Sequence, residues 1–175
     1  MTLSKLQQST IGKRSRRKGA SFQNTVARML SKAWDIPVLS TPQSGGLSLK
    51  GDLCVGGNPP KYTLAYSVEC KNRKDISIPV ILRNPDILPI SESQVVFFKE
   101  YGSKNIWLAF DVRKGPTGVA PIGIESPPPF IRIMRKDGVL LGVLRVDATY
   151  LQDRRNSFVS MIYRHSKKKE QDPEE

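Results

Sequence analysis

Two short apolar runs that deliver charged groups to one place constrain this chain more than any other stretch. Asp52 opens the first, Leu53-Cys54-Val55, which stops at Gly56-Gly57-Asn58-Pro59-Pro60. The second runs from Tyr62 to Val68 and ends in Glu69-Cys70-Lys71. Read as strands they predict a hairpin, because Gly, Asn and Pro supply the backbone angles of a tight reversal. Side chains alternate along a strand, so Glu69 and Lys71 share a face while Cys70 points into the core. A partner strand that sets Asp52 opposite that end gathers two carboxylates and an ammonium in one patch. Carboxylates that close repel, so one takes up a proton or a cation sits between them. Oxygen donors with open positions suit Mg²⁺, which keeps several waters and meets substrate phosphates directly. A solvated strand edge produces the same letters. Glu69-Cys70-Lys71, however, is the only acid-x-Lys triplet in the chain, and it closes an apolar run.

A net charge of +12, from 28 Lys and Arg against 16 Asp and Glu, calls for an anionic polymer as partner. Nucleic acid stands ahead of acidic membranes, because no helix with a large apolar face accompanies the charge. A length of 175 residues fits one domain with its own core. No apolar run of about 18 residues is present, so no membrane span is expected. The basic N-terminus lacks the apolar stretch of a secretory signal. Cys54 and Cys70 have no His or Cys at metal-ligand spacing and read as reduced thiols of a cytoplasmic protein, in the host cytoplasm if the source is viral.

Residues 1–17 read as a flexible basic arm. Lys5, Lys13, Arg14, Arg16, Arg17 and Lys18 stand in the first 19 residues without one acid, an arrangement that orders against phosphates by releasing their counterions. Phe22, Val26, Met29, Leu30 and Ala33 recur at helical spacing and predict a helix from Ala20 to Trp34. Lys18-Gly19 breaks the chain before it, and Asp35-Ile36-Pro37 ends it. Gln23 lies at the border of the buried stripe. Val38 to Ser48 reads as a strand running into Gln43-Ser44-Gly45-Gly46, a loop suited to phosphate contact. Ile76 to Pro89 holds three prolines and is expected to be extended or irregular. Ser91-Glu92-Ser93-Gln94 has the form of a capping box, yet the following Val95-Val96-Phe97-Phe98 reads equally as a strand. Ile106 to Val112 predicts a buried strand, and Asp137-Gly138 between two apolar runs predicts a hairpin. Asp147 is placed to cap a short helix through Leu151 to Arg155. Residues 158–163 form an apolar segment of undecided type. The tail, 164–175, swings from basic to acidic and is expected to be disordered, with His165 solvated.

Lys18-Gly19-Ala20-Ser21-Phe22-Gln23 opening a helix, then Ser44-Gly45, Gly51-Asp52 and Glu69-Cys70-Lys71-Asn72-Arg73-Lys74, resembles the PD-(D/E)xK nuclease superfamily. Within it the likeness is greatest to the archaeal-type Holliday junction resolvases, over roughly residues 13–112. The resemblance implies an α/β, restriction-endonuclease-like core with a mixed β-sheet flanked by helices, and it favours a helix over 91–101. A nuclease domain over 18–163 then divides into that core (18–112) and a C-terminal β-rich extension (113–163). By resemblance Asp52 and Glu69 bind Mg²⁺ with the Cys70 backbone carbonyl. Lys71 positions or deprotonates the attacking water, and Ser44 touches the scissile phosphate. The superfamily's proline is replaced by Gly51. Its helix glutamate is replaced by Gln23, whose amide can hold a water but cannot act as a base.

The function expected is a Mg²⁺-dependent, structure-selective DNA endonuclease, with Mn²⁺ as a substitute metal, that cuts four-way junctions as a homodimer and leaves 5′-phosphate ends. Arg14, Arg16, Arg17, Lys18, Lys50, Arg73, Lys74 and Gln94 are the expected DNA contacts. The alternatives are a repair or restriction-type nuclease of the same superfamily, a DNA-binding protein that kept the fold without cutting, and a binder of structured RNA.

Overall fold

The computed structural model describes residues 5–41, 51–56, 62–88, 90, 94–100, 102–113, 131–146 and 163–165. Ser44, Lys50, the helix expected after Asp147 and the apolar residues 158–162 lie outside the described residues. The elements in chain order are helix α1 (Lys5–Trp34), strands β1 (Val38–Ser40), β2 (Leu53–Val55), β3 (Tyr62–Leu64) and β4 (Ser67–Lys71), and helix α2 (Ile78–Arg83). They continue with strands β5 (Gln94–Lys99), β6 (Ile106–Asp111), β7 (Ile131–Met134), β8 (Leu140–Val146) and β9 (Tyr163–His165).

The periodicity of Phe22, Val26, Leu30 and Ala33 is realised: all four are buried along α1. The helix, however, begins at Lys5, so the segment read as an arm is its first half. Gly19 is no break. Glycine in a helix costs about 1 kcal/mol relative to alanine but keeps its N–H, whereas only proline removes a rung. After Trp34 the chain turns at Asp35, in the left-handed region at φ 57°, and its N–H donates to Ser31 O at 2.9 Å. The Ser31 hydroxyl then accepts the Val38 N–H at 2.8 Å and donates to Val38 O at 3.1 Å, which fastens β1 to α1.

A mixed sheet in the order β4-β5-β6-β8-β7 forms the centre, with β4 and β5 parallel and every other pair antiparallel. This is the mixed α/β core that the resemblance implies. One face packs on α1, β1 and β2 through Val68, Cys70, Val95, Phe97, Leu108, Phe110 and Leu144. The other packs on α2 and the residues after it through Val96, Phe98, Ala109, Leu141 and Val143.

That two-sided burial corrects the helix expected over 91–101. Val95 and Phe97 enter one core while Val96 and Phe98 enter the other, and all four are fully buried. Only a central strand uses a continuous apolar run in this way. The proline-rich stretch from Ile76 is corrected in the opposite sense, because it contains α2. Pro79 sits in the first turn of α2, where its missing N–H costs nothing. The Glu100 carboxylate, at the end of β5, accepts the Ile78 N–H at 2.9 Å.

The hairpin expected across Gly56–Pro60 is corrected: among the described residues the two strands that flank it form no ladder with each other. β2 pairs with β1, and β3 pairs with β9. Arg164 and His165 therefore belong to a strand rather than to the disordered tail. The Asp137-Gly138 hairpin does form. Gly138 takes φ 82° and donates its N–H to Arg135 O at 3.1 Å, and β8 then enters the central sheet between β6 and β7. The residues read as an extension supply two of that sheet's five strands.

Candidate active site

Among the described residues β4 is the last strand of the central sheet, and one side of its backbone has no strand partner there. Asp52 fills that edge. Its N–H donates to Val68 O at 2.7 Å, and its carboxylate Oδ2 accepts the Cys70 N–H at 2.8 Å. The side chain thus takes the donor that a neighbouring strand's carbonyl would otherwise take. Asp52 O in turn accepts the Thr41 N–H at 2.9 Å, which ties the end of β1 to the same place. Buried and held at three atoms, Asp52 has little freedom left.

Gly51 makes this approach possible. Its φ is 100°, and a Cβ there would lie 2.8 Å from Ser67 Oγ and 3.0 Å from both N and O of Val68. Proline, locked near φ −65°, cannot adopt this backbone, so glycine at the position of the superfamily's proline follows from the geometry of the edge.

Burial along β4 alternates as predicted: Glu69 and Lys71 are half-buried, while Val68 and Cys70 are buried. Lys71 Nζ donates to Glu69 Oε2 at 2.9 Å. The Cys70 thiol is pushed far above its usual range, first by burial, then by the Asp52 and Glu69 carboxylates, with Lys71 pulling the other way. Both carboxylates therefore act at one point of the strand, and Cys70 stays a neutral core thiol.

Among the described residues no group of three or more His, Cys, Asp and Glu is placed to hold a metal. What β4 and its edge offer is two carboxylates, hard oxygen donors of the kind that suit a divalent cation able to complete its shell with water and phosphate.

The other predicted residues distribute as follows. Gln23 is half-buried on α1, between Phe22 and the Val26 turn that share a core with Leu53, Val68 and Cys70. Gln94 opens β5, not a helix, and is paired in register with Ser67. Arg16, Arg17 and Lys18 are exposed on α1, and Arg14 lies in the same helix. Lys74 is exposed. Arg73 forks onto Asp75, with Nε donating to Oδ1 at 2.9 Å, and its guanidinium holds the Asp75 carboxyl below the usual carboxylate range. Sequence reasoning missed Thr41, whose tie to Asp52 runs through the backbone and leaves no mark on residue type. It also missed Ser21, Asn24 and Arg28, which with Arg17 form a polar face of α1 that helical spacing does reveal opposite the buried stripe.

A mixed sheet flanked by helices, with an acid at the sheet edge and Glu-x-Lys on the adjoining strand, has the form of a PD-(D/E)xK-type nuclease core. The model of the family described as phage putative PDDEXK endonuclease matches residues 14–137. The chain belongs to that family. The match runs from α1 to the turn between β7 and β8, well past the residue 112 at which the resemblance stops. Neither a curated protein nor a solved structure matches the chain. Among the described residues no helix is long and apolar enough to cross a membrane.

Proposed function

We propose that this chain is a Mg²⁺-dependent DNA endonuclease selective for branched DNA, with the four-way junction as its substrate, and that Asp52, Glu69 and Lys71 form its catalytic set. The observation that carries the reading is the Cys70 N–H to Asp52 Oδ2 bond, which sets one carboxylate against the strand that bears the other. Asp52, Glu69 and the Cys70 backbone carbonyl would hold the ion. Bound there, Mg²⁺ supplies a Lewis acid for the phosphate and lowers the pKa of the attacking water.

The remaining roles fall to the chain's own groups. Asp52 is pre-positioned by its backbone and side-chain bonds, so little reorganisation precedes reaction. Lys71 rests on Glu69; its side chain would position or deprotonate the attacking water, and its ammonium would offset the charge that builds as water adds to phosphorus. The P–O3′ bond breaks, leaving 5′-phosphate and 3′-hydroxyl ends. Gln23 holds a water through its amide without taking a proton. Ser44, Lys50, Arg73, Lys74, Gln94 and, on α1, Arg14, Arg16, Arg17 and Lys18 contact the DNA. A four-way junction has two-fold symmetry, so cutting it symmetrically calls for a homodimer that delivers one site to each of two strands.

The test is a labelled immobile junction and a linear duplex of the same sequence, each incubated with the full chain and Mg²⁺ or Mn²⁺. Paired nicks in the junction alone support the reading. Equal cutting of both substrates makes the chain a repair or restriction-type nuclease. A second reading, a non-cutting DNA binder, is favoured by the neutral Gln23 and would be left standing if neither substrate is cut.

A further inference from the structure

Along α1, the face opposite the core stripe carries Arg17, Ser21, Asn24 and Arg28, and β1 runs beside it. Between them lies a cavity of about 580 Å³, with Leu39 and Ser40 on its β1 wall and no carboxylate among the described residues that line it. Ser40 Oγ donates to Asn24 Oδ1 at 2.7 Å, and Arg28 Nε donates to Asn24 O at 3.3 Å, so the polar wall is organised by its own bonds. Among the described residues neither Arg17 nor Arg28 makes an ion pair. Helix α1 as a whole holds eight Lys and Arg and no acid. Among the described residues no carboxylate is paired with the charge of this groove.

Two features say what would meet it. Arg17 and Arg28 are eleven residues apart, about 16 Å along a helix, so a single phosphate cannot reach both and a chain of phosphates can. The groove also leads to the candidate active site. Ser40 is the register partner of Leu53, which follows Asp52, and the next residue, Thr41, bonds to Asp52 directly. Leu39, 53% exposed, adds an apolar contact of the kind that sugar edges and base steps accept.

We infer that the α1/β1 groove is a second nucleic-acid site, which takes the sugar–phosphate backbone of the DNA flanking the cut, with Arg28 as a phosphate contact. The inference rests on the reading of the chain as a DNA-cutting protein. Its test uses the full chain and a fluorescent junction in Ca²⁺, with affinity measured across salt concentrations for wild type, Arg28→Ala, Arg28→Lys and Arg28→Glu. Arg28 is exposed and alanine favours helix, so unchanged circular-dichroism melts are expected and confirm folding. Arg28→Ala should flatten the log–log salt dependence by about 0.9, so that its affinity falls roughly threefold to fourfold less than that of wild type between about 50 and 200 mM salt, and Arg28→Lys should restore the slope. Arg28→Glu should weaken binding more than Arg28→Ala. Trimming the junction arms should erase the difference between wild type and Arg28→Ala. If Arg28→Glu binds the long-armed junction with wild-type affinity and slope, the groove is no backbone site, and an acidic peptide becomes its better occupant. Cleavage of the same junction by wild type in Mg²⁺ reads the nuclease separately: cutting with no slope change sinks only the groove, and a slope change without cutting sinks only the nuclease.

Discussion

The edge of β4 and the outer face of α1 carry opposite charges and hold them by opposite means. Asp52 is buried and fixed through its N–H, its carbonyl and one carboxylate oxygen. Arg17 and Arg28 stand exposed on one long helix, and Arg28 Nε donates to Asn24 O at 3.3 Å. A group that must meet an ion at one point depends on backbone geometry. Groups that meet a flexible polyanion share the work along a surface, and each contributes a counterion's worth of affinity. Substitution at the first region should therefore be all-or-none, and at the second graded.

The sharpest break of that contrast is Asp52→Asn or Glu69→Gln. Either should cut the cleavage rate by about 10²–10³-fold or more, the scale of losing a positioned electrostatic group, while junction binding stays equal or tightens. Single-turnover cleavage and anisotropy on the same samples check this, and a fully active variant would remove that residue from the site. Asparagine still accepts the Cys70 N–H, so the melting temperature should hold.

Next in size is Gly51→Ala. A side chain at φ 100°, pressed on Ser67 and Val68, should destabilise the fold by about 1–3 kcal/mol and displace Asp52 as well. Urea midpoints and cleavage rates should fall together; a stable but inactive variant would place the strain at the site alone.

The Cys70 thiol sharpens the comparison through pH. Its folded pKa is raised by burial and by both carboxylates, so the folded chain keeps a proton that the unfolded chain loses. The stabilising contribution is complete below the unfolded thiol's pKa of about 8.5 and declines as pH rises above it, by up to about 1.4 kcal/mol per pH unit. Denaturation from pH 7 to 10 should show this extra decline in wild type and not in Cys70→Ala. The smallest effect belongs to Gln23→Glu, which should keep or raise cleavage by a few-fold. A collapse would show that the amide itself is needed.

Local patterns were legible in the sequence and long-range pairings were not. The α1 stripe and the outward pair Glu69 and Lys71 follow from periods of 3.6 and 2, which a few residues suffice to display. The Asp137-Gly138 turn is equally local. Which strands pair is another matter. β2 takes β1 and β3 takes β9, about a hundred residues away, so the neighbouring runs that suggested a hairpin find other partners. Val95-Val96-Phe97-Phe98 has no period at all, and its strand state is decided by the helices that cover both faces of the sheet. The convergence of Asp52 on β4 was expected from the motif, but the device that produces it, a carboxylate standing in for a strand carbonyl, needs the sheet edge to exist.

The most direct test of the two-carboxylate centre is Mn²⁺ binding by the full chain without DNA, followed by electron paramagnetic resonance in wild type, Asp52→Asn and Glu69→Gln. One saturable site in wild type that is lost or severely weakened in both variants is the predicted result. Equal Mn²⁺ binding by all three proteins would show that these acids do not act together on a cation.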